Sequence, residues 1–105
     1  MADATSSVTV ELHGPLAQRL AELGRRHGSR TRVDIPSVPG ETVGELLARL
    51  VASDPRYGLL YENGRLPEHV EAVLNDRVLD LQGGLSAVLR HGDVLVFLPA
   101  HAGGE

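Results

Sequence analysis

The sequence contains no cysteine and no lysine in its 105 residues. Without cysteine the chain has no disulfide, no thiolate metal ligand and no cysteine nucleophile, so any sulfur chemistry must use another atom. All ten basic residues are arginine, and the chain therefore offers no side-chain amine for conjugation.

Aromatic residues and excess positive charge are also scarce. Aromatics make up 3% of the chain, which leaves few stacking surfaces for single-stranded nucleic acid. The formal net charge of -4 and the pI near 5.7 disfavour non-specific binding to nucleic acid or to an anionic membrane. The first residues lack a signal-peptide pattern and no apolar run reaches membrane-spanning length. We therefore expect a cytoplasmic protein with no nucleic-acid or membrane partner.

The length fits one domain over residues 1–105, and the 42% of hydrophobic residues suffice for one modest core. We expect a disordered N-terminus over residues 1–7 and a flexible C-terminal tail over residues 99–105. Alternating apolar residues predict a first strand at Val8, Val10 and Leu12. A short helix should follow, opened by Pro15 and closed by Gly24. Its spaced apolar residues are Leu16, Leu20 and Leu23.

The main helix has the clearest pattern in the sequence. Its apolar positions recur at helical spacing and are Val43, Leu46, Leu47, Leu50 and Val51. Thr42 and Glu45 have the spacing of a capping box, in which each side chain satisfies a backbone N–H of the other residue. Asp54-Pro55 should end the helix.

Several strands flank this helix. The polar stretch from Gly24 to Arg30 is expected to be a loop feeding a strand at Val33 and Ile35, and residues 56–68 a connection with little regular structure. Residues 70–74 and 77–81 should form a hairpin around Asn75-Asp76, whose turn type the sequence leaves open. A turn at Gly83-Gly84 and a helical turn over residues 85–89 come next. The apolar run of residues 94–98 predicts a central strand covered on both faces.

This order of elements indicates an α+β fold, one mixed sheet with a single main helix packed across it. The first and last strands should be adjacent and parallel. The order is that of the β-grasp, or ubiquitin-like, fold.

The C-terminal third resembles the MoaD/ThiS family of ubiquitin-like sulfur carriers. The motifs that carry the resemblance are Val73-Leu74-Asn75-Asp76, Gly83-Gly84-Leu85, Gly92-Asp93, Phe97-Leu98-Pro99-Ala100 and Ala102-Gly103-Gly104. Within the family the pattern is most similar to the molybdopterin-synthase small subunit and to the cysteine-biosynthesis carriers. The resemblance is weak from Val8 and strong from Val70.

The resemblance implies that the chain is a protein substrate and not an enzyme by itself. An E1-like adenylyltransferase of the ThiF/MoeB type would use ATP to adenylate the carboxylate of Gly104, and sulfide or persulfide would convert it to a thiocarboxylate for a sulfur-accepting biosynthetic enzyme. Gly103 and Gly104 lack Cβ and suit a narrow channel. The residues expected to contact partners are Phe97, Pro99, Ala100, His101 and Ala102. No permanently bound cofactor and no metal are expected.

Glu105 departs from the family pattern, because it places the carboxyl group of Gly104 in a peptide bond. We expect Gly104-Glu105 to be a processing site, with Glu105 removed by a metalloprotease. Three alternatives stay open: the small subunit of molybdopterin synthase, a ubiquitin-like protein modifier, and a β-grasp interaction domain without acyl chemistry.

Two weaker patterns are interpreted as surface features. The histidines are too far apart in sequence for a usual metal-ligand spacing, and they are His13, His27, His69, His91 and His101. The basic cluster between Arg25 and Arg32 has the composition of a phosphate or nucleic-acid site, but an exposed loop between glycines explains it better.

Overall fold

The structure is a computed structural model that describes residues 6–100. In this part of the chain the strands are β1 (Ser6–His13), β2 (Arg25–His27), β3 (Arg30–Ser37), β4 (Val70–Leu74), β5 (Arg77–Val78) and β6 (Val94–Pro99). The α-helices are α1 (Pro15–Arg19) and α2 (Val43–Ser53). The strands form one sheet in the order β2-β3-β1-β6-β4-β5. Between residues 6 and 100, no helix is long and apolar enough to cross a membrane.

The first and last strands are adjacent and parallel, as the sequence predicts. Val10 pairs with Leu95 and Leu12 with Phe97, while the other neighbouring strands are antiparallel. This mixed sheet with one main helix is the β-grasp arrangement.

Helix α2 packs its apolar side into the core and begins at the predicted cap. The Glu45 N–H donates to Thr42 Oγ1 at 3.1 Å, and the Thr42 N–H donates to Glu45 Oε1 at 2.9 Å. The buried positions of the helix are Val43, Leu46, Leu47 and Leu50, whereas Val51 is only half-buried. Their burial in the core is one source of the hydrophobic stabilisation of the fold.

The predicted loop between Gly24 and Arg30 is wrong. Residues Arg25–His27 form strand β2, which pairs with β3 in a tight hairpin at the edge of the sheet. Gly24 is required just before it, because a Cβ there would lie 2.3 Å from the Arg32 carbonyl oxygen. The sequence hides this strand because its side chains are all polar and exposed, so no apolar alternation marks it.

The segment after α2 contains more structure than predicted. Asp54 accepts the Arg56 N–H at 3.0 Å and caps a 3-10 helix at Pro55–Leu59. Tyr57 and Leu60 from this segment are buried in the core. Core residues of such a short helix lack a long periodic pattern, so sequence reasoning missed them.

The β4–β5 hairpin is present but shorter than predicted. Asn75 and Asp76 both have positive φ, at 52° and 72°, which is the left-handed geometry of a type I′ turn. Strand β5 ends at Val78, and Leu79–Gln82 form a 3-10 helix that leaves Leu81 84% exposed. The predicted helical turn near Leu85 is a 3-10 helix at Gly84–Ser86.

The boundaries of the outer strands also differ from those predicted. Strand β1 begins at Ser6, so Ser6 and Ser7 belong to the sheet and not to an N-terminal tail. Strand β6 includes Pro99, the first residue of the predicted C-terminal tail. Residues 1–5 and 101–105 lie outside the described part of the chain.

Strand β6 is central, but only one of its faces is fully covered. Leu95 and Phe97 are completely buried beneath the helices, whereas Val94, Val96 and Leu98 on the other face are half-buried. The prediction of complete cover on both faces is therefore wrong. We call the face that carries Val94 and Val96 the outer face of the sheet.

Candidate functional site

The C-terminal tail leaves the sheet between the end of β1 and the beginning of β4. Pro99 is the last residue of β6 and lies opposite Val70. The Ala100 N–H still donates to the His69 carbonyl oxygen at 2.8 Å. The last described residue is therefore fixed to the scaffold, at a place we call the tail exit.

Pro99 ends the pairing with β1 but not the pairing with β4. Backbone N–H groups alternate in direction along a strand, and the N–H of Ala100 points toward β4. A backbone N–H at position 99 would therefore point toward β1, but proline has no N–H to donate there. The proline ring also packs against Gly14, since a Cβ on Gly14 would lie 3.5 Å from Pro99 Cγ. Pro99 thus prevents further pairing on the β1 side only.

Phe97 is not a partner-binding residue in this structure. Its side chain has 0% exposure and belongs to the hydrophobic core. A ring buried so completely cannot contact a docking enzyme, and its role is to anchor β6. Pro99 and Ala100 are half-buried and accessible at the tail exit.

The other predicted tail residues lie outside the described residues. These are His101, Ala102, Gly103, Gly104 and Glu105. Their roles in partner binding, acyl transfer and processing therefore stay predictions.

A cluster of hydrogen bonds holds the beginning of β6 in place. The Val94 N–H donates to Asn75 Oδ1 at 2.9 Å, and Asn75 Nδ2 donates to Asp93 Oδ1 at 2.8 Å. Asp93 Oδ2 in turn accepts the Arg90 N–H at 2.8 Å. Asn75 and Asp93 belong to motifs that the sequence resemblance singled out, and the structure gives them a scaffold role. In the sequence, the only sign of this scaffold role is that both residues lie in motifs shared with the family.

A charged cluster lies on the outer face, at the end of the sheet where the tail exits. Glu11 is only 9% exposed, and its Oε2 lies 2.8 Å from His13 Nε2 and 3.3 Å from Arg30 Nη1. Cross-strand pairing brings these residues together, because His13 is opposite Arg30. Sequence reasoning missed the cluster since Glu11 alternates with buried residues and resembles an exposed strand position.

A second buried carboxylate, Glu41, lies at the opposite end of the sheet. Arg49 donates to both of its oxygens, each at 3.0 Å, and this hydrogen-bonded guanidinium lowers the pKa of Glu41 below its usual value. Burial raises the pKa of Tyr57, whose ring packs in the core. Both groups support the scaffold.

Within residues 6–100, no group of three or more potential metal ligands is assembled. Cross-strand pairing places His13 in β1 and His27 in β2 on the same face of the sheet, on either side of Arg30 in β3. His91 Nδ1 accepts the Ser7 N–H at 3.1 Å and so has a structural contact.

The fold is shared with several solved structures of small proteins. The HVO 2177 protein of Haloferax volcanii matches with a TM-score of 0.68 and 23% identity, over 99% of this chain and 93% of that chain. SAMP1 of Haloferax volcanii matches with a TM-score of 0.65 and 25% identity, over 93% and 99%. A chain of the Amycolatopsis orientalis BexX/CysO complex matches with a TM-score of 0.64 and 28% identity, over 92% and 99%.

Family membership rests on a more specific match. No curated protein is significantly similar to the sequence. The model of the ThiS family, however, matches residues 23–104, which is most of the chain and includes the tail glycines. The match confirms the resemblance that the C-terminal motifs indicate, and the chain belongs to the ThiS family.

Proposed function

We propose that this chain is a sulfur carrier whose Gly104 carboxylate becomes a thiocarboxylate. The observation that carries the proposal is the path of the last strand. Central strand β6 is fixed at both ends and is followed in the sequence by Ala100, His101 and then Ala102-Gly103-Gly104. A rigid scaffold that presents a short glycine tail suits a group handed from one enzyme to another.

The chemistry proceeds in two steps at the acyl carbon of Gly104. A carboxylate oxygen attacks the α-phosphate of ATP, which releases pyrophosphate and forms an acyl adenylate. Sulfide then attacks the acyl carbon and AMP leaves, so that one oxygen of the original carboxylate is replaced by sulfur. The partner adenylyltransferase, of the ThiF/MoeB type, binds the ATP and catalyses both steps, while the carrier is its protein substrate.

Glu105 must be removed before the first step. In this chain the Gly104 carboxyl group is part of an amide, which is a far poorer nucleophile than a carboxylate. The family match supports this view because it ends at residue 104. We propose that a metalloprotease cleaves the Gly104-Glu105 bond.

The similarity to a chain of the BexX/CysO complex, at 28% identity, supports a partner protein in general, and we propose that the final partner is a sulfur-accepting biosynthetic enzyme. The similarity to SAMP1, a protein named as a small archaeal modifier, favours a second candidate function. In that case the activated Gly104 carboxylate would be transferred to lysine amines of other proteins. Lysine conjugates in cells expressing a tagged chain would separate the two functions.

The test compares the full chain with versions that end at Gly104 and at Gly103. Each is incubated with its adenylyltransferase, ATP and sulfide, and intact mass is measured for the exchange of one oxygen for sulfur. We expect the exchange only in the version that ends at Gly104. Exchange in the full chain would show that Glu105 does not block the reaction. Its absence in all three, with an enzyme of proven activity, would favour an interaction domain without acyl chemistry.

A further inference from the structure

Strands β2 and β3 present four basic side chains side by side on the outer face. Arg25 lies directly opposite Arg32, and His27 lies directly opposite Arg30. All four are exposed. We call these four residues the arginine face.

The arrangement of the arginine face is unfavourable for the isolated fold. Like charges directly opposite each other on neighbouring strands destabilise a sheet. Between residues 6 and 100, no carboxylate lies within 4.0 Å of the Arg25 or Arg32 guanidinium, although Arg30 does reach Glu11 at 3.3 Å. Glu11 in β1 lies directly opposite Arg32 and offsets part of its charge, whereas Arg25 lies on the edge strand and has only Arg32 opposite it.

Protection of the sheet edge does not account for this pair. Charged residues on an edge strand prevent pairing with other chains, and β2 is an edge strand. An arginine opposite a carboxylate would protect the edge equally well without repulsion. The like-charged pair therefore indicates an anionic partner outside the chain.

The arginine face lies beside the tail exit. The hairpin turn that joins β2 to β3 contacts the end of β1, where the Gly14 N–H donates to the Ser29 carbonyl oxygen at 3.1 Å. Gly14 in turn packs against Pro99. A partner that receives the tail therefore reaches the arginine face without crossing the sheet.

The rest of the outer face favours a protein over a nucleic acid. Next to Arg32 the same row continues through Glu11 in β1 to Val96, Val73 and Val78. Val78 is 37% exposed, and Val73 and Val96 are half-buried. A patch of apolar side chains bordered by arginine is typical of protein interfaces, whereas a nucleic acid needs a longer basic track.

We propose that the arginine face docks a carboxylate-rich surface of the enzyme that receives the tail. The identity of that enzyme rests on the proposed function, while the binding of carboxylates does not. Arginine forms bidentate hydrogen bonds with carboxylates, and opposite charges on two surfaces accelerate and orient their encounter.

The test uses an octaglutamate peptide as the probe in NMR titrations of the full chain at low salt. We expect backbone amide shifts concentrated in β2 and β3. The double variant Arg25→Gln/Arg32→Gln should bind the peptide about tenfold more weakly, and added salt should reduce binding because it screens the charges. A matched control, Arg65→Gln/Arg90→Gln, removes the same charge from exposed positions elsewhere and should bind like the wild type.

Equal weakening in the two double variants, or amide shifts outside β2 and β3, would overturn the proposal. Tighter binding of an octathymidylate oligonucleotide than of octaglutamate would also overturn it and indicate a nucleic-acid surface. The titration requires no thiocarboxylate, so a failure of sulfur transfer leaves its result unaffected. A failed titration with intact sulfur transfer would reject the docking surface alone.

Discussion

At the residue scale, the two buried carboxylates Glu11 and Glu41 both pair with an arginine, but with different geometry. Glu41 accepts hydrogen bonds from Nε and Nη2 of Arg49 and also from the Val38 N–H at 3.3 Å. Glu11 lies between His13 and Arg30, whose side chain is 60% exposed. The bidentate pair at Glu41 is the stronger structural contact.

We expect replacement of Glu41 by glutamine to reduce stability at neutral pH by about 1 to 3 kcal/mol, because a hydrogen-bonded charge is lost. The pKa of Glu41 is lowered by Arg49 from the usual 4.5, so its contribution is fully present above that pH. The contribution is lost as the pH falls through the lower, folded-state value. Urea unfolding at several pH values should show the difference between wild type and variant shrinking in acid. A difference that does not change with pH would contradict this assignment.

For the arginine face we expect the opposite effect, a gain in stability when a charge is removed. Replacing Arg25 by glutamine should stabilise the fold by about 0.2 to 1 kcal/mol, because it removes the charge repulsion with Arg32. The same replacement at Arg65, which lies in none of the strands of the sheet, should change stability little. Thermal unfolding at low salt measures both. Destabilisation by Arg25→Gln would mean that the arginine supports the fold itself.

At the element scale, β6 holds the molecule together because it pairs with β1 on one side and β4 on the other. Its beginning depends on Asn75, whose side chain bonds to both Val94 and Asp93. Asn75 also has a positive φ of 52°, which asparagine tolerates better than most residues.

Replacing Asn75 by alanine should therefore destabilise the protein by about 2 to 3 kcal/mol, through two lost hydrogen bonds and backbone strain. Replacement by glycine loses the same bonds but relieves the strain, and it should cost less. Chemical unfolding of the three proteins measures the difference. Equal stability of wild type and the alanine variant would show that these bonds contribute nothing.

Elements with an apolar pattern could be predicted from the sequence, and elements without one could not. Helix α2 was predicted to within two residues because its cap and its buried leucines both mark it. Strand β2 was missed because Arg25 and its neighbours carry no apolar residue, and only pairing with β3 makes them a strand. The same pairing creates the arginine face, so this part of the site could not be predicted either.

At the scale of the whole molecule, the parallel contact of β1 with β6 could be predicted because the order of elements is that of a known fold. The place of the tail exit follows from it. The burial of Phe97 could not be predicted from the motif, since the motif does not state which face of the strand is covered. The family resemblance identifies residues 97–100 as a functional motif, but only the packing shows which of their side chains a partner can contact.

This division between scaffold and tail predicts two separate kinds of variant. Leu47 is completely buried in α2, so replacing it by alanine should cost about 2 to 5 kcal/mol through lost burial and a cavity. Leu81 is 84% exposed, and the same replacement there should stay within about 0.5 kcal/mol. We expect alanine at Gly103 or Gly104 to be equally harmless to stability, because their proposed role is chemical.

In sulfur acquisition we expect the opposite order: the tail-glycine variants should be impaired, and the Leu47 variant should not. In a chain ending at residue 104, Leu47→Ala should still acquire sulfur at temperatures where it is folded. Gly103→Ala should acquire sulfur more slowly, since a Cβ obstructs a narrow channel. Thermal melts and intact-mass assays on each variant measure the two properties independently. If the tail glycines proved as important to the melting temperature as Leu47, their role would be structural and the proposed acyl chemistry would lose its basis.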